Sequence, residues 1–276
     1  MENSFQLNEK EYFNRGGVDV MAFSDIYPVG HQSGVTVIMN GKRIAANGDI
    51  RFEQTPGQWQ PVGKLVERKV DTKHQTIATT LTYPDMNAHL HGFNPMIYPD
   101  FAFSYQVKVE ARGAGISVTV DLDREIDPAF AGKLCLNLEL YPGELFGKPW
   151  LMDGRAGIFP RQPNGPTMSL PGNYEHSGRL QSNPEAHADR EKLAGDGTSY
   201  NPIRADDLIA SPYAVGHRFT LCPDDPLLRM TVISESAELK LYDGRMNHNN
   251  GWFVLSSELP TGVTGHAVSW TLLPHV

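Results

Sequence analysis

The sequence predicts an all-β protein, a large antiparallel β-sandwich with long irregular loops. Apolar and polar residues alternate with a period of two over residues 101–110, 116–122 and 134–140, as they do in half-buried antiparallel strands. The chain of 276 residues contains 26 Gly and 20 Pro, which favours many turns over long helices. Helical patterning is nearly absent, so the sequence indicates sheet packed on sheet.

The individual strands follow from the same alternation and from turn residues. Asn40-Gly41 lies between extended runs at 35–39 and 43–46, and Asn-Gly is a strong hairpin signal. The glycines at 113 and 115 lie where the strands 101–110 and 116–122 would turn. We expect further strands at 19–23, 76–83, 227–234, 238–241, 252–257 and 266–272.

One long irregular stretch, about residues 160–212, is rich in Pro, Gly, Asn and charged residues. It contains the best helix candidate, 183–193, which begins with a cap residue followed by proline at the first helical position but is too polar for a core helix. Strand patterning resumes at Tyr213. We therefore interpret the stretch as a loop excursion from a single domain spanning residues 1–276.

Charge and hydropathy exclude some partners. The net charge of −8 and the pI near 5.7 argue against nucleic acid or an anionic membrane surface. No apolar run approaches the roughly 18 residues of a membrane span. The N-terminus lacks the layout of a signal peptide, so either the protein is cytoplasmic or a signal has been removed. We predict that Cys135 and Cys222 are buried free thiols.

The most informative pattern is the tripeptide Asp-Gly-Arg, which occurs at 153–155 and at 243–245, each time after an apolar segment. Loops rich in amides, arginine and aromatic residues follow both copies. Such groups are costly in a core unless every hydrogen bond is made, whereas they suit a surface that binds sugar hydroxyls and stacks on sugar rings. The candidate carbohydrate-binding residues are Trp59, Trp150, Arg155, Arg161, Arg245, His248, Asn249, Asn250 and Trp252.

The alternative interpretation of this pattern is structural. Asp-Gly can form a turn, each arginine can pair with a neighbouring carboxylate, and each tryptophan can anchor its loop on the sheet. Residues 248–251, His-Asn-Asn-Gly, can equally form a tight loop, because Asn and Gly adopt positive φ.

Catalytic residues are harder to select from the sequence. Glycoside hydrolysis uses two carboxyl groups roughly 5–10 Å apart, and the acidic candidates are Glu53, Glu139, Glu144, Asp153 and Asp243. If the chain is an enzyme, we expect Asp153 or Glu144 as acid/base and Asp243 as the second carboxylate. His89 and His91 share one face of an extended segment, but no third metal ligand is evident. We expect no metal site or cofactor and leave a structural calcium open.

Four segments resemble the β-rich region that precedes the catalytic domain in some family 9 glycoside hydrolases, which are cellulase-like enzymes of gut and rumen Bacteroidetes. They are Val-Asp-Val-Met-Ala-Phe-Ser-Asp-Ile-Tyr-Pro-Val-Gly-His-Gln-Ser-Gly-Val at 18–35, Ala-Asn-Gly-Asp-Ile-Arg at 46–51, Gln-Thr-Pro-Gly-Gln-Trp-Gln-Pro at 54–61 and His-Asn-Asn-Gly-Trp-Phe-Val at 248–254. The likeness spans most of the chain outside about 167–212. It implies a secreted or extracytoplasmic protein and a helical-barrel catalytic partner, a barrel that this chain lacks. The size is also similar to the β-supersandwich of other sugar-processing proteins, an analogy of architecture alone.

The sequence thus leaves three hypotheses. The leading one is a polysaccharide-binding or domain-supporting module of a plant-polysaccharide-degrading system, with β-glucan as the expected ligand class. The second is a self-sufficient glycoside hydrolase, lyase or epimerase that uses the acidic loop residues. The third is a module that only packs against a helical barrel, with an exposed apolar patch and no affinity for glycans.

Overall fold

The computed structural model describes residues 4–24, 34–52, 62–85, 101–162, 211–244 and 252–275. These residues form two antiparallel sheets of nine strands each, so the predicted all-β sandwich is confirmed. The helical content of the described residues is one 3₁₀ turn, Pro128–Phe130, and one short helix, α1 (Pro142–Leu145). None of the described helices is long and apolar enough to cross a membrane.

We call the two sheets A and B. From edge to edge, sheet A consists of β1 (Gln6–Leu7), β2 (Phe13–Arg15), β3 (Val18–Ala22), β4 (Val35–Met39), β5 (Lys42–Phe52), β10 (Leu134–Leu140), β17 (Phe253–Glu258), β16 (Leu239–Asp243) and β13 (Ala214–Gly216). In the same way, sheet B consists of β12 (Arg155–Ile158), β11 (Pro149–Met152), β14 (Arg218–Leu221), β15 (Met230–Ser234), β18 (Gly265–Pro274), β9 (Gly115–Leu122), β8 (Phe103–Arg112), β7 (Thr76–Tyr83) and β6 (Lys64–Asp71).

The core lies between the sheets and is built by the period-two alternation. In β8 the apolar side chains are buried and the polar ones between them are half-buried, because successive residues of a strand point to opposite faces. The indole Nε1 of Trp270 in sheet B donates to Ser257 Oγ in sheet A at 3.0 Å. Removing large aromatic side chains from water is the main stabilising term of such a core.

Most of the expected strands are present. Asn40-Gly41 joins β4 and β5, and the glycines at 113 and 115 flank the turn between β8 and β9. The strand expected at 76–83 matches β7, whereas the one expected at 227–234 begins only at Met230. Strand β5 continues to Phe52, well beyond the predicted 46, with a register shift against β10.

Several strands have no clear pattern in the sequence. Strand β6 is an edge strand with exposed or half-buried residues throughout, so it shows no apolar face. Strand β12 is likewise an exposed edge, and β13 has three residues. The helix expected at 183–193 lies outside the described residues. Cys135 and Cys222 are both buried thiols outside any disulfide, as predicted, and burial raises the pKa of Cys222 to about 12.

Candidate functional site

Asp153, one of the two proposed catalytic carboxylates, forms structural hydrogen bonds. It lies in the turn between β11 and β12, and its two oxygens accept from the backbone N–H groups of His217, at 2.9 Å, and Arg218, at 2.8 Å. Its own N–H donates to the carbonyl of Arg218 at 2.9 Å. Asp153 thus joins this turn to the segment between β13 and β14. This is a structural role, as in the alternative interpretation in which Asp-Gly forms a turn.

Two of the other acidic candidates have partners of their own. Glu144 in α1 is half-buried and bonded to Lys42 Nζ at 2.7 Å. Asp243 in β16 is completely buried and accepts from the Tyr213 hydroxyl at 3.0 Å. The catalytic pairing of Asp153 or Glu144 with Asp243 stays a prediction.

Apart from Trp252, the residues predicted to bind sugar divide into three groups. Trp150 is buried, and its ring packs so closely on Gly157 that a Cβ there would overlap it; no open ring face remains for a sugar, because a stacking platform must be exposed. Arg155 and Arg161 are exposed on sheet B and in the segment after β12. Outside the described residues lie Trp59, Arg245, His248, Asn249 and Asn250, together with Glu53, His89 and His91.

Trp252 is half-buried and directly precedes β17. Its ring centroid lies 4.2 Å from that of Tyr141, at an interplanar angle of 55°. Tyr141 follows β10, and since Leu140 pairs with Phe253, Tyr141 and Trp252 are cross-strand neighbours at the end of this strand pair. The two rings form the aromatic pair of the candidate site.

The register of sheet A places a row of polar residues beside this pair. Asn137 lies opposite Asp49 of β5 on one side and opposite Ser256 of β17 on the other. Two residues along β10, Glu139 lies opposite Val254. Because side chains two residues apart in a strand share a face, Asn137, Glu139 and Tyr141 follow one another on the same face. We call this surface the polar face of sheet A.

The centre of the polar face is a buried carboxylate, Asp49. Its Oδ1 accepts from the Tyr105 hydroxyl at 2.8 Å and from the Ile50 N–H at 2.7 Å, and its Oδ2 lies 3.6 Å from Arg51 Nη1. Burial raises the pKa of Asp49 to about 6, against the lowering effect of Arg51 and of the two hydrogen bonds. Burial likewise raises the pKa of Tyr83 and of Tyr105 above the ordinary range, so both phenols remain neutral donors.

A second carboxyl group, Glu139, lies in the same cluster. Its Oε2 accepts from Asn47 Nδ2 at 2.5 Å. Burial raises the pKa of Glu139, while Arg51 and the bond from Asn47 lower it. Asn47 has a φ of +56° at the irregularity between β5 and β10, a conformation that asparagine adopts more readily than most residues. The positive charge of Arg51 therefore lowers the pKa of both carboxyl groups, Asp49 and Glu139.

Three buried polar atoms of this cluster have no hydrogen-bond partner among the described residues: Asn47 Oδ1, Asn137 Nδ2 and the Tyr83 hydroxyl. All three side chains are more than nine-tenths buried. An unsatisfied buried donor or acceptor costs about 1–3 kcal/mol, and native structures retain few of them. The cluster thus contains one acceptor, one donor and one hydroxyl that the described residues leave unsatisfied.

Most of this cluster was not predicted from the sequence. Glu139 was only one acidic candidate among several, and Asn47, Asp49 and Arg51 lay beyond the predicted strand 43–46, in a segment noted only for the resemblance. A signal was present, because Cys135, Asn137 and Glu139 alternate with four leucines in a strand whose second face is also buried. Buried polar residues of this kind indicate a site more reliably than exposed loop residues do.

The described residues contain no group of three or more His, Cys, Asp or Glu residues that could hold a metal ion. The side chains of the polar face can donate and accept hydrogen bonds, and the rings of the aromatic pair can contact an apolar ring face.

No family model and no curated protein matches the chain. Among solved structures, the chain is similar to the crystal structure of the Slr1438 protein from Synechocystis sp. PCC 6803, with a TM-score of 0.37 and 10% sequence identity, over 98% of this chain and 94% of that one. A superposition of that quality carries no argument about function.

Proposed function

We propose that the protein binds a hydroxyl-rich carbohydrate on the polar face of sheet A. The observation that carries this proposal is the set of three unpartnered buried polar atoms on Asn47, Asn137 and Tyr83 in a cluster continuous with the aromatic pair. Sugars present what such a site needs, since each hydroxyl both donates and accepts and each pyranose ring has an apolar face for an aromatic ring.

The ligand class rests on the resemblance to the N-terminal region of family 9 glycoside hydrolases, which is a proposal in its own right. It suggests a β-glucan or a related plant polysaccharide, an extracytoplasmic location and a helical-barrel catalytic domain as partner. The site residues differ from those expected from the sequence. Trp252 is retained, and the buried residues of β5 and β10 replace the arginines of the Asp-Gly-Arg loops.

Binding is tested by calorimetric titration of the chain with soluble β-glucan, xyloglucan, glucomannan and xylan. We expect at least one of them to bind, and Trp252→Ala and Asn137→Ala each to weaken the affinity about tenfold or more, the loss expected for one stacking or buried hydrogen-bonding group. Arg124→Ala, an exposed arginine on the loop after β9, is the control and should leave affinity unchanged. Binding that survives both site substitutions would place the sugar elsewhere.

A second candidate function is acid/base catalysis on the bound sugar, and the raised pKa values of Asp49 and Glu139 favour it. Two carboxyl groups with perturbed pKa values in one cluster are typical of catalytic sites, although buried structural networks also perturb them. Release of reducing ends by the wild-type chain, and its loss in Glu139→Gln with binding preserved, would establish the enzyme. Binding without turnover would leave the protein as a binding module.

A further inference from the structure

A second group of polar side chains lies on sheet B and consists of arginine, histidine and threonine residues. Arg229 directly precedes β15, and since Met230 pairs with Pro274, Arg229 lies opposite His275. The His275 N–H donates to the carbonyl of Arg229 at 2.9 Å. The imidazole Nε2 of His275 is 2.9 Å from Thr231 Oγ1, which is 3.0 Å from Thr220 Oγ1. These bonds fix the imidazole on two threonine hydroxyls.

A second arginine lies on the same face. Arg218 precedes Thr220 by two residues in β14, and Thr220 pairs with Thr231, so the side chains of Arg218, Thr220 and Thr231 share one side of the sheet. Arg218 is exposed and Arg229 is half-buried. Two guanidiniums, an imidazole and two hydroxyls therefore lie on one face of neighbouring strands.

This group carries the positive charges of Arg218 and Arg229 on a chain whose net charge is −8, and the Asp153 carboxylate near Arg218 already accepts from the backbone N–H groups of His217 and Arg218. Neither Arg218 nor Arg229 forms an ion pair with any residue that the structure describes. The nearby carboxylate of Asp225 is bonded to Lys148 Nζ at 2.6 Å and to the Leu227 N–H at 3.0 Å. The pKa of His275 is lowered by burial first and then by the positive charges of Arg229, Arg218 and Arg15.

One donor of the group lacks an acceptor among the described residues, since the Nε of Arg229 is buried and forms no hydrogen bond with any of them. A buried guanidinium N–H without an acceptor is costly, since hydrogen bonds to charged groups are worth more than those between neutral ones. An oxyanion that bonded to this N–H would also neutralise the charges around His275.

We propose that Arg218, Arg229 and His275 form a binding site for a tetrahedral oxyanion, a phosphate or sulfate group. Arginine is suited to this role because its planar fork matches two oxygens of such a group, and the threonine hydroxyls hold the imidazole in place. Arg15 adds charge from β2 while its guanidinium donates to the carbonyls of Ala114 and Pro274. The site is independent of the proposed sugar site, because it lies on the other sheet and shares no residue with it.

The test is a thermal melt of the wild-type chain in sodium phosphate and in sodium sulfate, against sodium chloride at the same ionic strength. At ten times the dissociation constant, either anion should raise Tm by about 3 °C. Arg229→Gln and Arg218→Gln should each abolish the increase. Arg229→Lys keeps the positive charge but lacks the planar guanidinium, so it should lose most of the increase in Tm. Arg124→Gln, which alters an exposed arginine on a different loop, should retain it.

A second readout separates specific binding from general salt effects. The Hε1 resonance of His275 should titrate at a higher pH in phosphate than in chloride, because a bound anion favours the imidazolium, and Arg229→Gln should remove the difference. Titration with glycerol phosphate distinguishes the source. Tighter binding than inorganic phosphate assigns the site to a phosphate ester, and equal binding assigns it to the free anion. Equal melting in phosphate, sulfate and chloride, with no shift of His275, would overturn the proposal.

Discussion

At the scale of single residues, the structure shows how one residue type serves different purposes in two places. Asp153 is exposed and bonds to backbone N–H groups, whereas Asp49 is buried and bonds to the Tyr105 hydroxyl. In the sequence each is an aspartate beside a glycine, and only the fold separates the turn residue from the site residue.

Asp153→Ala should destabilise the protein, because two backbone N–H groups would lose a charged acceptor. We expect a loss of about 1–3 kcal/mol in the free energy of unfolding, measured by urea denaturation. Asp153→Asn, which keeps one acceptor oxygen, should lose less. Arg155→Ala, two residues away and exposed, is the control and should stay within about 0.5 kcal/mol of the wild type. A stable Asp153→Ala that has lost a sugar-dependent activity would instead restore Asp153 as a functional residue.

The pH dependence of stability should show the buried carboxyl of Asp49. Its pKa is raised from 3.8 to about 6 in the folded protein, so the folded state binds this proton more tightly than the unfolded state does. The stability that results is fully present below pH 3.8 and is lost as pH rises through about 6. The loss amounts to about 3 kcal/mol.

Asp49→Asn should remove that part of the pH dependence, because an amide does not titrate. The measurement is the difference in free energy of unfolding between wild type and variant at several pH values across this window. A difference that does not change with pH would contradict the raised pKa of Asp49.

At the scale of strands, the alternation predicted those elements that have one buried and one polar face. Strand β7 was predicted to the residue because its burial alternates throughout. Strand β6 was missed because it is an edge without an apolar face, and charged edges of this kind discourage pairing with other chains. The continuation of β5 beyond residue 46 was not predicted, and the structure places its asparagine and glycine at a register shift within the strand.

The hairpin of β11 and β12 gives a prediction at this scale. The ring of Trp150 occupies the space beside Gly157 that a side chain would need. Gly157→Ala should therefore destabilise the protein by about 1–3 kcal/mol and should change the fluorescence of the displaced indole. Gly143→Ala is the matched control, since a Cβ there would meet no atom within 4 Å. Equal stability of the two variants would show that the hairpin is not packed as described.

At the scale of the whole molecule, the all-β sandwich could be predicted and the site could not. Composition and alternation report which faces are buried, and these determine the class of fold. The site arises because β5 and β10, which are far apart in the chain, become neighbours in sheet A, and β8 of sheet B supplies Tyr105. Neither the pairing of β5 with β10 nor the contact of Tyr105 with Asp49 can be recognised from the local sequence. Trp252 was expected at the start of a strand and as a sugar-binding residue, whereas its contact with Tyr141, more than a hundred residues earlier in the chain, was not predicted.

The central claim is that the unpartnered polar atoms of the polar face belong to a sugar site. The most direct measurement is a calorimetric titration of the plant polysaccharide panel into the wild type, Asn137→Ala, Trp252→Ala and the Arg124→Ala control. The account predicts saturable binding of at least one polysaccharide, a loss of about tenfold or more in affinity in each site variant and no change in the control. Absence of binding to the whole panel by a folded wild-type chain, or equal affinity in all four proteins, would contradict it.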